Sequence, residues 1–339
     1  MSRRQRLALG MVVSLVFLVL TLCKIHWGEL WELFLQANYW YLLPALLLLV
    51  AINWTRAYRW RLLMYPDTAL PLGRIFRFVN IGYFYNNVLP AKAGEVVRAY
   101  LLGGLVSGGI GQAASTLLIE RLLDVLTLVV LLVILVPFVE MPSWAARGGL
   151  LFGAAAFGGA IVLMVLARFG ERGLEWAWKL LGRVPILGHE KVKRALANLL
   201  EGFGVLMMGR LLPGVLASSL FVWFGYALFN YTILAAFRMM HLPFWAAALV
   251  LCATGFIMVL PSSPGAIGVF EWAAVQALSV YGVSQGAALG YALGLHSFTN
   301  IVLILFGLWG LMREGLSYRR LQREAMASPE GPLPQRSSN

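Results

Sequence analysis

Three short clusters of ionisable residues interrupt an otherwise apolar chain. VLPAKAGEVVRAYLL (88–102) carries Lys92, Glu95 and Arg98. LLIERLLDVLTL (117–128) carries Glu120, Arg121 and Asp124, and VLPSSPGAIGVFE (259–271) ends in Glu271. Glu95 and Arg98 stand at i and i+3, so on a helix they share a face and can pair. Glu120 and Asp124 are spaced i, i+4, and Arg121 and Asp124 i, i+3. Further on, HSFTN puts His296 and Asn300 one helical turn apart, with His296 read as a packing residue. A lysine and an arginine at one site can neutralise a phosphate, one as a point charge and the other as a fork of donors. The carboxylates could hold those cations while the site is empty, meet an amine, or do acid–base work.

The first and third clusters follow similar words. VLPAKAGE and VLPSSPGAIGVFE each place a glycine four residues after a proline, Gly94 after Pro90 and Gly265 after Pro261. Proline removes a backbone donor and glycine frees the backbone, so each stretch predicts a broken helix. In hydrocarbon a broken helix is tolerated only inside protein or beside water. Transport proteins point such half-helix N-termini at buried anionic groups, often in inverted pairs.

The elements that must position these groups cross a membrane. Of 339 residues 60% are hydrophobic and 12% charged, with a mean hydropathy of +0.78. Soluble domains run nearer a quarter charged. Apolar stretches long enough to span lie at 7–25, 39–57, 112–137, 148–168, 213–236, 243–260 and 286–312, with a shorter helix at 266–282. The interrupted stretches 75–89 and 94–107 read as a hairpin. The first stretch is an uncleaved helix, since no small-residue cleavage site follows it. The fold class is therefore an all-α polytopic membrane protein. About eight transmembrane helices and a broken, re-entrant hairpin form an inverted repeat. Residues 1–312 make one membrane domain, with 169–212 a cytoplasmic amphipathic segment and 313–339 a disordered cytoplasmic tail. WGELWELFLQA (27–37) reads as a short helix on the outer surface.

With the N-terminus inside, cytoplasmic segments hold 21 of the 27 Lys and Arg residues, among them Arg56, Arg59, Arg61, Arg74 and Arg77. Three lie outside, and Lys92, Arg98 and Arg121 fall in or beside apolar stretches. That bias places both termini in the cytoplasm. It also accounts for the net charge of +12 without nucleic acid as a partner. Each pair, 75–107 and 243–282, must begin and end on one side, which full crossings and half-depth hairpins satisfy equally. The two cysteines, Cys23 and Cys252, provide neither a disulfide framework nor a metal site.

FYNNVLPAKAGEVVRAYLL, STLLIERLLDVLTL and VLPSSPGAIGVFEWAAVQAL, in that order, resemble the flippase-like membrane domain of the lysylphosphatidylglycerol synthase family. This is the lipid-translocating half of bacterial multiple peptide resistance factors, and it also occurs as a stand-alone membrane protein. The likeness runs from about residue 10 to 312. It implies a first motif of Asn87, Pro90, Gly94, Glu95 and Arg98, and a second of Glu120, Arg121 and Asp124. The third comprises Pro261, Pro264, Gly265, Gly268 and Glu271. Members often have arginine where this chain has Lys92, which keeps the charge and loses the bidentate geometry. Full-length synthases add a soluble aminoacyl-transferase domain. The printed chain stops about 27 residues after its last span, so lipid lysylation by it alone is not expected.

The function these readings favour is translocation of an anionic, aminoacylated or polyprenyl-linked lipid across the bacterial cytoplasmic (inner) membrane, without catalysis, cofactor or metal. The substrate-binding set is Asn87, Lys92, Gly94, Glu95, Arg98, Glu120, Arg121, Asp124, Ser262, Gly265, Gly268, Glu271 and Asn300. Pro90, Pro261 and Pro264 make the breaks. Partners are the membrane lipids themselves, with a second copy of the chain or a separate lipid-modifying synthase as further partners. Nothing reads GxxxxGK[ST], so transport is passive or coupled to a gradient or partner. Two alternatives are a membrane enzyme acting on a lipid-linked substrate and a non-catalytic organiser of envelope lipid synthesis. HExxH and a clustered metal-binding Asp pair are both absent from the sequence, which weighs against the enzyme.

Overall fold

A computed structural model describes residues 3–316 apart from 23–26, 68, 90–91, 141–142, 182–191, 195, 198, 201–202, 204–208 and 259–262. Pro90, Pro261 and Ser262 therefore lie outside the described residues, as do Cys23, most of the 182–208 segment and the tail. Among the described residues twelve helices are delimited. They are α1 (Arg3–Leu22), α2 (Trp27–Gln36), α3 (Leu42–Leu63), α4 (Leu72–Val88), α5 (Ala93–Gly103) and α6 (Gly109–Leu135). The rest are α7 (Ser143–Arg168), α8 (Glu171–Leu181), α9 (Leu212–Ala236), α10 (Phe244–Ile257), α11 (Val269–Ser279) and α12 (Gln285–Glu314).

Among the described residues four stretches are long and apolar enough to cross a bilayer: Tyr39–Leu63, Arg147–Arg168, Leu212–Ala236 and Gln285–Glu314. The 27-residue α6 is as long and carries Glu120, Arg121 and Asp124 in its middle. α12 shows how local chemistry sets the ends. The Ser284 side chain accepts from the Ala287 N–H at its start, and Gly315 stops it in the left-handed region (φ 62°).

The two interrupted segments resolve into short helices. α4 and α5 have 17 and 11 residues, α10 and α11 have 14 and 11. At 1.5 Å per residue even α4 reaches only about 25 Å, short of a ~30 Å hydrocarbon core. α4 ends at Leu89, whose extended backbone (φ −108°, ψ 145°) is what a following proline imposes. Both return helices start from a left-handed residue, Lys92 (φ 53°) before α5 and Gly268 (φ 88°) before α11. In both, the third helical residue is a glutamate, Glu95 or Glu271. The structural match between the two breaks thus pairs Lys92 with Gly268, offset from the VLP register.

The packing of the two halves also matches. α3 packs on α4, α4 on α5 and α5 on α6; likewise α9 on α10, α10 on α11 and α11 on α12. Across the halves α3 packs on α9, α4 on α12 and α6 on α10. This is the pattern two copies of a helix–hairpin–helix unit leave when they embrace about a two-fold axis. α1 lies against α11, where Ser14 Oγ accepts from Ser263 N–H at 2.8 Å and Phe17 meets Trp272. α2 is not merely surface-bound: it packs on α12, and Phe34 meets Phe237 edge-on. At one end of the bundle, Glu314 of α12 takes Arg74 (3.1 Å) and Arg77 (2.7 Å) of α4. Between α3 and α4, Asp67 accepts from the Ser107 hydroxyl (2.8 Å), the Ser107 N–H and Gln112, and these bonds hold its carboxyl below the usual range.

Glycine makes the closest backbone approach. A Cβ on Gly94 of α5 would collide with the Gly82 carbonyl of α4, and one on Gly82 would collide with the Arg98 side chain. Neither backbone carbonyl nor a packed guanidinium stem can yield cheaply. Gly94→Ala is therefore expected to destabilise by about 1–3 kcal/mol, the usual cost of overpacking. Gly158→Ala, where a methyl meets nothing within 4 Å, is expected to be neutral or mildly stabilising. Thermal unfolding midpoints of the two purified variants in detergent check this, and an equal response would refute the packing argument.

Candidate functional site

The charged centre forms where α3, α5, α6 and α9 meet. Asn53, Arg56, Arg59 and Trp60 lie at three- and four-residue steps on one face of α3. On α6, Thr116, Glu120 and Asp124 step by four, and on α9 Ser219 and Trp223 do the same. Helical periodicity thus lines up three polar stripes, and packing brings them together.

The contacts are dense. Arg56 Nη1 reaches Glu120 (3.2 Å) and Asp124 (3.1 Å). Arg59 Nη2 holds Asp124 at 2.7 Å while its Nη1 donates to Ser219 (3.0 Å). Arg98 of α5 donates to the other Glu120 oxygen at 2.8 Å, with its guanidinium 4.3 Å over the Trp60 ring. Arg121 Nη2 also takes Glu120 (2.8 Å), with Asp124 at 3.5 Å and Glu95 at 3.6 Å. Trp223 donates to Asp124 (3.2 Å), and Trp60 donates to Thr116 (3.0 Å).

Burial makes this costly. Arg59 and Glu120 are fully buried, Arg98 is 1% exposed, and Arg56 and Asp124 are 5% exposed. Ions taken out of water cost several kcal/mol each unless geometry and hydrogen bonds repay it. Repayment here is incomplete. The Nε atoms of Arg56, Arg59, Arg98 and Arg121 have no hydrogen-bond partner, nor has either amide atom of the buried Asn53. Buried polar atoms are nearly always paired, so five such side chains in one centre single it out among the described residues.

Several expected residues sit elsewhere, or act differently. Arg56 and Arg59 were expected in a cytoplasmic segment; α3 continues to Leu63 and carries both inward. Arg98 pairs with Glu120 on another helix, and not with Glu95 on its own, because Glu95 turns to Arg121. Lys92 is exposed at the start of α5, within electrostatic reach of Glu95 and Arg121. The Gly94 N–H, expected to face a ligand, donates to Asn86 Oδ1 at 2.8 Å. Glu271 and His296 form a separate pair 2.5 Å apart, so His296 is more than a packing residue; Glu271 also accepts from the Gly268 N–H at 2.6 Å. Phe270 stacks on the imidazole. Gly268 abuts α1, where a side chain would strike Ser14 and Leu18.

The breaks adjoin. The Pro264–Ala266 turn packs on α4, and Gly265 (φ 67°) presents its backbone to Asn87 and Asn300. A Cβ there would stand 3.5 Å from Asn87 Oδ1 and 3.9 Å from Asn300 Nδ2. Pro264 opens this turn. The kinks of the two hairpins therefore meet beside three amide or backbone polar groups.

A profile of the lysylphosphatidylglycerol synthase TM region matches residues 7–307, almost the whole membrane part. The chain belongs to that family. Among its relatives in the lysylphosphatidylglycerol synthase TM family is a UPF0104 membrane protein of Methanothermobacter thermautotrophicus, 25% identical over 297 residues (83% of this chain, 87% of the relative). One UPF0104 membrane protein of Methanocaldococcus jannaschii is 23% identical over 224 residues, covering 66% of this chain and 91% of its own length. Another from the same organism is 27% identical over 117 residues, about a third of each chain. No solved structure matches. Family membership fixes a membrane protein linked to lipid handling.

Asp124 is the anchor of the centre, with three arginines within 3.5 Å. Breaking one side of a buried ion pair costs roughly 3–5 kcal/mol. Asp124→Ala is expected to lose stability on that scale, read as a lowered thermal midpoint, while Glu95→Ala on the exposed rim is expected to lose under about 1 kcal/mol. Comparable losses for the two would refute the central role of Asp124.

Proposed function

We propose that this chain is a flippase-like lipid translocator of the cytoplasmic membrane, with both termini in the cytoplasm and no catalytic role. One observation carries the reading: two broken-helix hairpins from opposite halves touch at their breaks, and the first leads into a buried, incompletely satisfied ion cluster. A polar headgroup crossing a bilayer must exchange water for protein dipoles along its path. Kinked backbone and amides at Asn87, Gly265 and Asn300 supply such dipoles near mid-membrane, while the lipid chains stay in hydrocarbon. Many outward faces of the long helices are apolar and exposed, for example Leu43, Leu47, Leu220, Phe224, Leu305 and Trp309. The family's link to a synthase of an aminoacylated lipid supports a lipid as cargo. Membrane lipids are thus the partners, with a lipid-modifying synthase as a further one.

Reconstitution in liposomes with headgroup-labelled lipids tests this. The wild-type chain is expected to speed exposure of label in the opposite leaflet. Arg98→Ala and Glu271→Ala are expected to slow exchange by about tenfold or more, the scale of losing one charge-assisted bond. Retained folding is checked by gel filtration before reconstitution. Wild-type exchange rates in both variants would reject the site, and no exchange by the wild-type chain would reject the function.

A further inference from the structure

We propose that the arginine cluster is a phosphomonoester site: the favoured cargo carries a terminal phosphate with two negative charges, in preference to a phosphodiester with one. This deepens the translocator reading and rests on it for the claim that the ligand is a lipid.

The charge count leads there. Arg56, Arg59, Arg98 and Arg121 face Glu120 and Asp124 in the centre, and Arg121 also reaches Glu95 of the rim at 3.6 Å. Four guanidinium groups against two carboxylates leave two positive charges uncompensated. With Lys92 and Glu95 of the rim included, five cations face three carboxylates, so the excess stays at two. The remaining polar neighbours, Ser219, Trp223 and Tyr226, are neutral donors or ring faces. Arg56, Arg59 and Arg98 hold one of the excess charges in the buried part and the part-exposed Arg121 holds the other, and a diffusible dianion would balance both.

Donor geometry agrees. Four arginines each keep one Nε–H free, and Asn53 adds an unpaired amide. A phosphomonoester offers three terminal oxygens, each a strong acceptor, and binds arginine in fork fashion. A diester has two such oxygens and half the charge. The entrance is at Arg121. Its side chain is 38% exposed, while those of Arg56, Arg59, Arg98, Glu120 and Asp124 are all at or below 7%. Arg121 holds Glu120 closely but Asp124 and Glu95 only at 3.5 and 3.6 Å. It can therefore swing to a headgroup without opening the Arg56, Arg59 and Arg98 pairs. A cationic aminoacyl headgroup would meet like charge here.

The test uses the whole chain in detergent at about pH 8, where a phosphomonoester carries its second charge. Phosphatidic acid, phosphatidylglycerol with the same acyl chains, and inorganic phosphate are titrated against the thermal midpoint and intrinsic tryptophan fluorescence. Trp60 under Arg98 and Trp223 on Asp124 lie in the site. Phosphatidic acid is expected to bind about tenfold tighter than phosphatidylglycerol, the scale of one added bond to a charged group. Inorganic phosphate is expected to compete with it weakly. Arg56→Gln should bring the ratio close to one, and Arg56→Lys should preserve most of it. If Arg56→Gln does not fold, Arg121→Gln at the entrance serves the same comparison. Equal affinities, tighter phosphatidylglycerol, or an unchanged ratio in the neutral variant would overturn the proposal. Free phosphate binding as tightly as phosphatidic acid would overturn the lipid as ligand. In liposomes, selective binding without lipid exchange would reject translocation alone, and exchange indifferent to the phosphate's charge would reject this inference alone.

Discussion

Asp124 and Glu120 hold the first half of the molecule together. Between them they engage arginines from α3, α5 and α6, and Asp124 adds the indole of α9. Four helices thus converge on two carboxylates one turn apart. Buried ion networks of this kind are poor sources of net stability, since desolvation offsets most of the attraction. They are strong constraints on geometry, because any helix that drifts leaves a charge stranded. The cluster sets where α5 returns after its break, and hence where the first hairpin ends.

The second half solves the same problem with less charge. Glu271 closes the start of α11 on Gly268 and takes His296 from α12. It occupies the position that Glu95 occupies in α5, third in a return helix that begins at a left-handed residue. The halves share a scaffold and differ in chemistry. One carries a dense guanidinium–carboxylate network, the other a single acid–imidazole pair.

Much of this was legible in the sequence. Hydropathy placed most of the described helices within a few residues, and proline with glycine marked both breaks. The partners of the charges were less legible. Spacing alone pairs Glu95 with Arg98, yet α6 presents Glu120 to Arg98 at shorter range, which no local pattern contains. Arg56 and Arg59 looked like the cytoplasmic end of a span because charge usually ends one. A signal existed: Asn53, Arg56, Arg59 and Trp60 share a helix face, whereas Arg61 falls on another and stacks on Tyr58. The left-handed conformation of Lys92 was hidden too, since a lysine gives no hint of positive φ.

Gly265 has a mechanical consequence. At Gly265 itself the turn offers only backbone, beside the carboxamides of Asn87 and Asn300. Interlocked side chains would have to unpack before one half could shift against the other. The contact at this one point has nothing to unpack, so relative displacement of the halves is resisted elsewhere, by the bonds of Arg59 to Ser219 and Trp223 to Asp124 and by the salt-bridged latch of Glu314 to Arg74 and Arg77 at the opposite end of α4.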